Sequence, residues 1–158
     1  MGVGKSTIGK LLAEKMNYGF IDMDEEIERR EGKSISEIFR IKGESKFRVL
    51  ESDLVKELSK REKTVIACGG GVIMDGMNAK LLSDSSKMVY LTASIDEIIN
   101  RTSTNNNRPL LNVSNRVDIT LELLEKRSPV YLSYADVTLD TTGKTPNEIV
   151  SELMEAIK

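Results

Sequence analysis

Histidine is absent from this chain, and cysteine occurs once, at Cys68. Without histidine, neither a Cys/His zinc site nor a serine-histidine triad can be assembled, and a lone thiol excludes a disulfide within the chain. Aromatic residues make up 4% of the sequence, runs of five or more like charges are missing, and 23 Lys+Arg nearly balance 25 Asp+Glu. A nucleic-acid surface needs a basic face and stacking rings, so nucleic acid is not an expected partner. Any anion must be held by local basic positions. No apolar run reaches the roughly 18 residues of a membrane span, and nothing resembles a signal peptide, so no membrane association is expected and the chain is placed in the cytoplasm.

What is present suits one α/β domain. A length of 158 residues is enough to bury a core and enclose a small-molecule site, but not to build two independent domains. Short apolar runs bounded by turns, "YGFID" (18–22), "TVIAC" (64–68), "KMVYLTA" (87–93) and "DVTLD" (136–140), suit strands buried on both faces of a parallel sheet. Between them, Ile8, Leu11 and Leu12 form an apolar stripe on one helix. Phe47, Leu50, Leu54, Val55 and Leu58 form another on a helix near 44–61; each stripe needs a sheet to cover. Ser34 with Glu37, and Thr145 with Glu148 after Pro146, are capping signals for helices starting near 35 and 146. Alternating strands and helices predict a three-layer, doubly wound parallel sheet.

The chain opens "MGVGKST". Gly4, Lys5 and Ser6 match the end of the phosphate-loop pattern G-x-x-x-x-G-K-[ST], whose first glycine would fall before Met1. Such a loop points backbone N–H groups at phosphate oxygens, with Lys5 on the β/γ-phosphates and the Ser6 hydroxyl on Mg²⁺. An ordinary glycine turn before a helix is the alternative. "FIDMDEE" puts Asp22 and Asp24 at the carboxyl end of a predicted strand, the ligand-binding edge of open α/β sheets. With a period of two they would share one side, one carboxylate serving the metal's water shell and the other a substrate hydroxyl; a helix N-cap with acidic first-turn residues fits as well.

Four further features carry chemistry only in company. Arg48 lies three residues before Glu51, which alone reads as a surface ion pair. Arg108 sits in the asparagine-rich stretch 100–111, either a flap that brings a cation onto a phosphate or a solvated loop. Arg127 precedes Pro129, where a helix is expected to end, so a helix C-terminal cation is the plain reading. Gly69, Gly70 and Gly71 follow a strand and favour close approach of backbone to a ligand.

"GKST", "FIDMD", "FR" at 47–48, "GGG" at 69–71, "RPLL" at 108–111 and "KRSPVY" at 126–131, in this order and at these intervals, resemble the shikimate kinase family from residue 2 to the end. "GKST" alone occurs across phosphate-loop ATPases; the combination is specific. The resemblance implies a single domain over 1–158 of the nucleoside-monophosphate-kinase type, with a five-stranded sheet of order 2-3-1-4-5, a substrate-binding region at about 24–51 and a lid at about 102–115. It implies ATP-dependent phosphorylation of the shikimate 3-hydroxyl in aromatic amino-acid biosynthesis, with Mg²⁺ as cofactor, ATP as co-substrate and a monomeric enzyme.

By the same resemblance, Gly2, Val3, Gly4, Lys5, Ser6 and Thr7 hold the ATP phosphates, with Ser6 and Asp22 serving the metal. Asp24 binds the shikimate hydroxyls, Arg48 and Arg127 grip its carboxylate, and Gly69, Gly70 and Gly71 offer backbone N–H groups. Lys5, Asp24 and Arg108 are the catalytic candidates, and Arg101 and Lys144 flank the adenine. The family's central first strand would precede Met1, so Met1 is expected to be an internal methionine of a longer protein. Other kinases of this fold, acting on gluconate or nucleoside monophosphates, are the alternative, as is an inactive nucleotide-binding domain.

Overall fold

The computed structural model of the protein describes residues 2–103 and 116–158. Helix α1 (Lys5–Met16) starts directly after the phosphate-loop sequence and closes on Asn17 in the left-handed conformation, a common helix stop. Strand β1 (Gly19–Asp22) then runs straight into α2 (Met23–Glu31). Helix α3 (Ile35–Leu58) begins at the Ser34/Glu37 capping box and breaks at Gly43, with φ 81° and ψ 165°. The two helices expected near 35 and 44–61 are therefore the two arms of one bent element. Strand β2 (Thr64–Ala67), a 3₁₀ turn (Val72–Met74), α4 (Gly76–Ser85) and β3 (Val89–Thr92) follow. Helices α5 (Ile95–Ser103) and α6 (Arg116–Tyr134), strand β4 (Val137–Asp140) and α7 (Pro146–Ala156) complete the order. As the sequence predicts, α7 starts at the Thr145/Glu148 capping box.

Both strand pairs are parallel. β1 lies against β2 with Asp22 opposite Ala67, and β3 against β4 with Thr92 opposite Asp140. Among the described residues β2 and β3 do not pair, so the strands form two two-stranded sheets, the pairings 2-3 and 4-5 of the expected order. Between them lies an apolar cleft of about 360 Å³, bordered by Val65, Ile66 and Ala67 of β2 and Val89, Tyr90 and Leu91 of β3.

The strands separate two cores, which makes the arrangement three-layered. On one face Ile21 and Ile66 pack against Met23, Ile27, Ile38, Phe47, Leu54, Val55 and Leu58 of α2 and α3. On the other, Val65, Leu91, Val137 and Leu139 pack against Ile8 and Leu12 of α1 and Ile149, Val150 and Leu153 of α7. Val65 and Ile66 face opposite ways because side chains alternate along a strand.

Helix α6 corrects one expectation. It does not end before Pro129 but carries that proline in its interior and continues to Tyr134. Proline forfeits one helix hydrogen bond. Beyond it, Val130, Tyr131 and Tyr134 pack against the core of α2, α3 and α4, and that apolar contact is what continuing the helix secures. Arg127 therefore sits mid-helix, where no helix-terminal role applies.

Candidate active site

The carboxyl ends of β1 and β2 and the start of α1 converge on one region. Gly2 and Gly4 hold φ of 68° and 87°, left-handed values that side-chain-bearing residues rarely adopt. Val3 between them is buried, and Gly4 is the N-cap of α1 with no side chain to cap its first N–H groups. Those donors, with the positive end of the helix dipole, suit an anion. Ser6, in the first turn, donates from Oγ to Asp22 Oδ2 at 2.5 Å, while Thr7 next to it is exposed.

Asp22 and Asp24 are not two steps along one strand, as a period of two predicts. β1 stops at Asp22, whose Oδ1 accepts the backbone N–H groups of Asp24 at 3.0 Å and Glu25 at 3.3 Å. Asp22 is thus the N-cap of α2, with Asp24 in its first turn. The capping reading holds, and starting the helix here directs the Asp24 carboxylate toward the loop after β2, where Oδ1 lies 2.7 Å from the position a Cβ on Gly69 would take.

The three glycines after β2 each face a different candidate side chain. A Cβ on Gly69 would meet Asp24 at 2.7 Å, one on Gly70 would meet Arg127 Nη1 at 2.8 Å, and one on Gly71 would meet Arg48 Nη1 at 2.2 Å. None of the three has a positive φ. Close approach, not backbone conformation, is what requires glycine there, and the approaching groups are three of the candidate site residues. Arg48 and Arg127 also border a cavity of about 330 Å³ together with Gly71, Asn78 and Lys126.

Arg48 is more than a surface ion pair. Its Nη1 donates to Glu51 Oε2 at 2.6 Å and its Nη2 to Glu44 Oε1 at 2.9 Å, and Glu51 is only 2% exposed. Burial raises the Glu51 carboxyl above its ordinary range; Arg48 and Arg127 pull it back and Asp24 adds to the rise. Glu51 therefore lies among Asp24 and both arginines. Sequence reading missed it as a site residue, although the signal is there: Glu51 follows Phe47 by four positions, which puts a carboxylate on the apolar stripe of α3.

Tyr131 was missed likewise. Its hydroxyl donates to the Gly70 carbonyl oxygen, and its ring packs against Tyr90 at 5.1 Å. Cys68, just after β2, is half-buried and borders the apolar cleft; desolvation pushes its thiol up to about 12, with Lys5 acting against and Asp24, Glu51 and Asp22 acting with it. A thiol held protonated at neutral pH is not a nucleophile. Its electrostatic neighbours show that Lys5 and three carboxylates surround the same spot.

Arg101 and Lys144 border a single turn. Arg101 Nη2 pairs with Glu97 at 2.5 Å and Nη1 bonds Thr141 Oγ1 at 3.3 Å, while Lys144 Nζ pairs with Glu152 at 2.6 Å. Thr141, wholly buried, ties this turn after β4 to Thr92 of β3. Arg108 lies outside the described residues, as does the predicted lid of about 102–115 apart from its first two positions at the end of α5. The Ser6 hydroxyl and the Asp22 carboxylate are hard oxygen donors of the kind Mg²⁺ takes, one or two protein ligands being its usual complement. No helix among the described residues is long and apolar enough to cross a membrane.

Comparison with known proteins agrees with this geometry. A model of the family "Shikimate kinase" matches residues 1–158. A shikimate kinase of Persephonella marina is 41% identical over 158 residues, spanning all of this chain and 94% of that one. The structure of shikimate kinase from Acinetobacter baumannii in complex with shikimate superposes with a TM-score of 0.96 at 36% identity, over 99% of this chain and 88% of that one. A gluconokinase from Sinorhizobium meliloti reaches a TM-score of 0.56 at 21% identity over 99% of this chain and 86% of that one, a likeness of fold alone. An α/β fold with parallel strands, a phosphate-loop helix start and this full-length match together establish that the chain belongs to the shikimate kinase family, transferases that phosphorylate shikimate with ATP as co-substrate.

Proposed function

We propose that this chain transfers the γ-phosphoryl group of ATP to the 3-hydroxyl of shikimate, using the cavity beside residues 69–71 to orient the acceptor. The supporting observation is that three consecutive glycines face Asp24, Arg127 and Arg48 in turn. Consecutive Cα atoms are about 3.8 Å apart, so an acidic acceptor and two guanidinium groups are spread over the length of one small hydroxylated ring. The planar carboxylate of shikimate suits the paired arginines. Asp24, nearer the phosphate loop, accepts the hydrogen bond of the 3-hydroxyl and aims its oxygen in line at phosphorus.

On the ATP side, Gly2, Val3, Gly4, Lys5, Ser6 and Thr7 hold the phosphates. Lys5 and Arg108 neutralise charge on the group in flight, which is where most stabilisation lies in phosphoryl transfer. Ser6 and Asp22 would hold Mg²⁺, which would supply charge neutralisation on the ATP phosphates. Arg101 and Lys144 flank the adenine. Lys144 does so as an ammonium, without the stacking plane of a guanidinium.

The test is a substrate panel. With Mg-ATP and, in turn, shikimate, gluconate and a nucleoside monophosphate, ADP release is expected only with shikimate, with shikimate 3-phosphate as product. Turnover of either other acceptor in preference to shikimate refutes the proposal.

A further inference from the structure

Tyr131 joins three parts of the site. Its hydroxyl donates to the Gly70 carbonyl. Its ring meets that of Tyr90 on β3 with centroids 5.1 Å apart and planes at 59°, and the Tyr90 hydroxyl lies 3.1 Å from Ser128 Oγ, one turn back on α6. Arg127 precedes Tyr131 by four residues, so the two share a face of α6. Both reach Gly70: a Cβ there would meet Arg127 Nη1 at 2.8 Å and the Tyr131 hydroxyl at 3.4 Å.

The bond to the Gly70 carbonyl has a directional consequence. The chain has no cis peptide bond among the described residues, and in a trans peptide the C=O and the following N–H point opposite ways. Fixing the Gly70 oxygen toward Tyr131 therefore fixes the Gly71 N–H away from it. Gly71 borders the cavity that Arg48 and Arg127 line. Among the described residues, neither the Gly70 nor the Gly71 N–H donates to a backbone carbonyl. The Gly69 and Gly71 carbonyls accept from the Val72 and Met74 N–H groups at 3.2 and 3.1 Å; the Gly70 carbonyl between them is held instead by Tyr131, and with no side chains at 69–71 that contact bears directly on the orientation of the 70–71 peptide.

We propose that Tyr131 is a positioning residue for acceptor recognition: its hydroxyl holds the 70–71 peptide so that the Gly71 N–H faces the carboxylate gripped by Arg48 and Arg127. This rests on the shikimate reading above. The contact acts on the bound acid, not on the transferring phosphoryl group, so it belongs to substrate affinity.

The experiment is Tyr131→Phe, which keeps the ring against Tyr90 and removes only the hydroxyl. The shikimate KM is expected to rise about three- to tenfold, the effect of one lost hydrogen bond, with kcat and the ATP KM within about twofold of wild type. Tyr90→Phe, which removes the neighbouring phenol, is expected to leave the shikimate KM unchanged. In the ligand-free protein, the ¹H–¹⁵N resonance of Gly71 is expected to move in Tyr131→Phe while those of α7 stay in place. An unchanged shikimate KM in a variant of an active enzyme overturns the proposal, and so does an equal rise in the ATP KM or an unmoved Gly71 resonance. If wild-type protein ignores shikimate while the Gly71 resonance still moves, the substrate reading fails and the anchoring of the peptide stands.

Discussion

Gly71→Ala isolates what the glycine run is for. At Gly71 φ is −92° and ψ −16°, values alanine adopts without strain, so the substitution acts only through its methyl group. That carbon would lie 2.2 Å from Arg48 Nη1, 2.7 Å from Cζ and 2.9 Å from Nη2, where ordinary contact begins at 3.4 Å. The guanidinium must retreat by the 1.2 Å difference, and its 2.6 Å bond to Glu51 cannot survive a shift of that size. The arginine would also leave the position from which, on the proposed function, it grips a planar carboxylate. One charge-assisted hydrogen bond to a substrate contributes about 1.5–3 kcal/mol, which converts to a fall of roughly 10- to 150-fold in kcat/KM for shikimate. A coupled assay of ADP release against shikimate at saturating ATP reads this, with the melting temperature recorded alongside. The loss should appear in the shikimate KM while the ATP KM holds; the melting temperature should fall as well, because the one-third exposed Arg48 side chain (33%) can retreat into solvent but the Glu51 carboxyl it leaves is 2% exposed. A shikimate KM within twofold of wild type would show that Gly71 is not there to make room for Arg48, and the reasoning would be wrong.

Two other substitutions test neighbouring parts of the site. Glu51 has a folded pKa raised chiefly by burial, so the stability its protonated form contributes is complete below about pH 4.3, the unfolded value, and is lost as pH rises through the folded value. Glu51→Gln cannot ionise; its melting temperature relative to wild type should therefore climb between pH 4 and pH 8, and a difference independent of pH would contradict the assignment. Its shikimate KM should nevertheless rise several-fold, since a neutral amide holds Arg48 less firmly than a carboxylate. Asp24→Asn should nearly abolish turnover, by about 10²-fold or more, while leaving Mg-ATP affinity measured by calorimetry close to unchanged; retained turnover would remove Asp24 from the centre of the reaction.

What the sequence by itself determined was the part of this protein written in local pattern. Among the described residues, all four strands lie where the short apolar runs put them. The capping boxes at Ser34 and Thr145 start their helices, because caps depend on residues three apart in the chain. The order and spacing of the motifs also identified the family, since those intervals reflect the lengths of the intervening elements. Tertiary structure alone decided the rest. Asp24 proved to stand on a helix and not a strand, because the Asp22 carboxylate captures the N–H groups of the following turn. Helix α6 runs through Pro129 because packing of Val130, Tyr131 and Tyr134 outweighs one lost backbone bond. Glu51 reads in sequence as half of a surface ion pair, and Tyr131 as one more residue of a motif. Their places beside Arg48 and Gly70 come from residues 3 and 61 positions away, and only the second of those separations is beyond the reach of local pattern. For Glu51 the deciding fact was burial, which arises when α3 closes over the loop after β2, and burial of a charge among other charges is a property of the assembled fold.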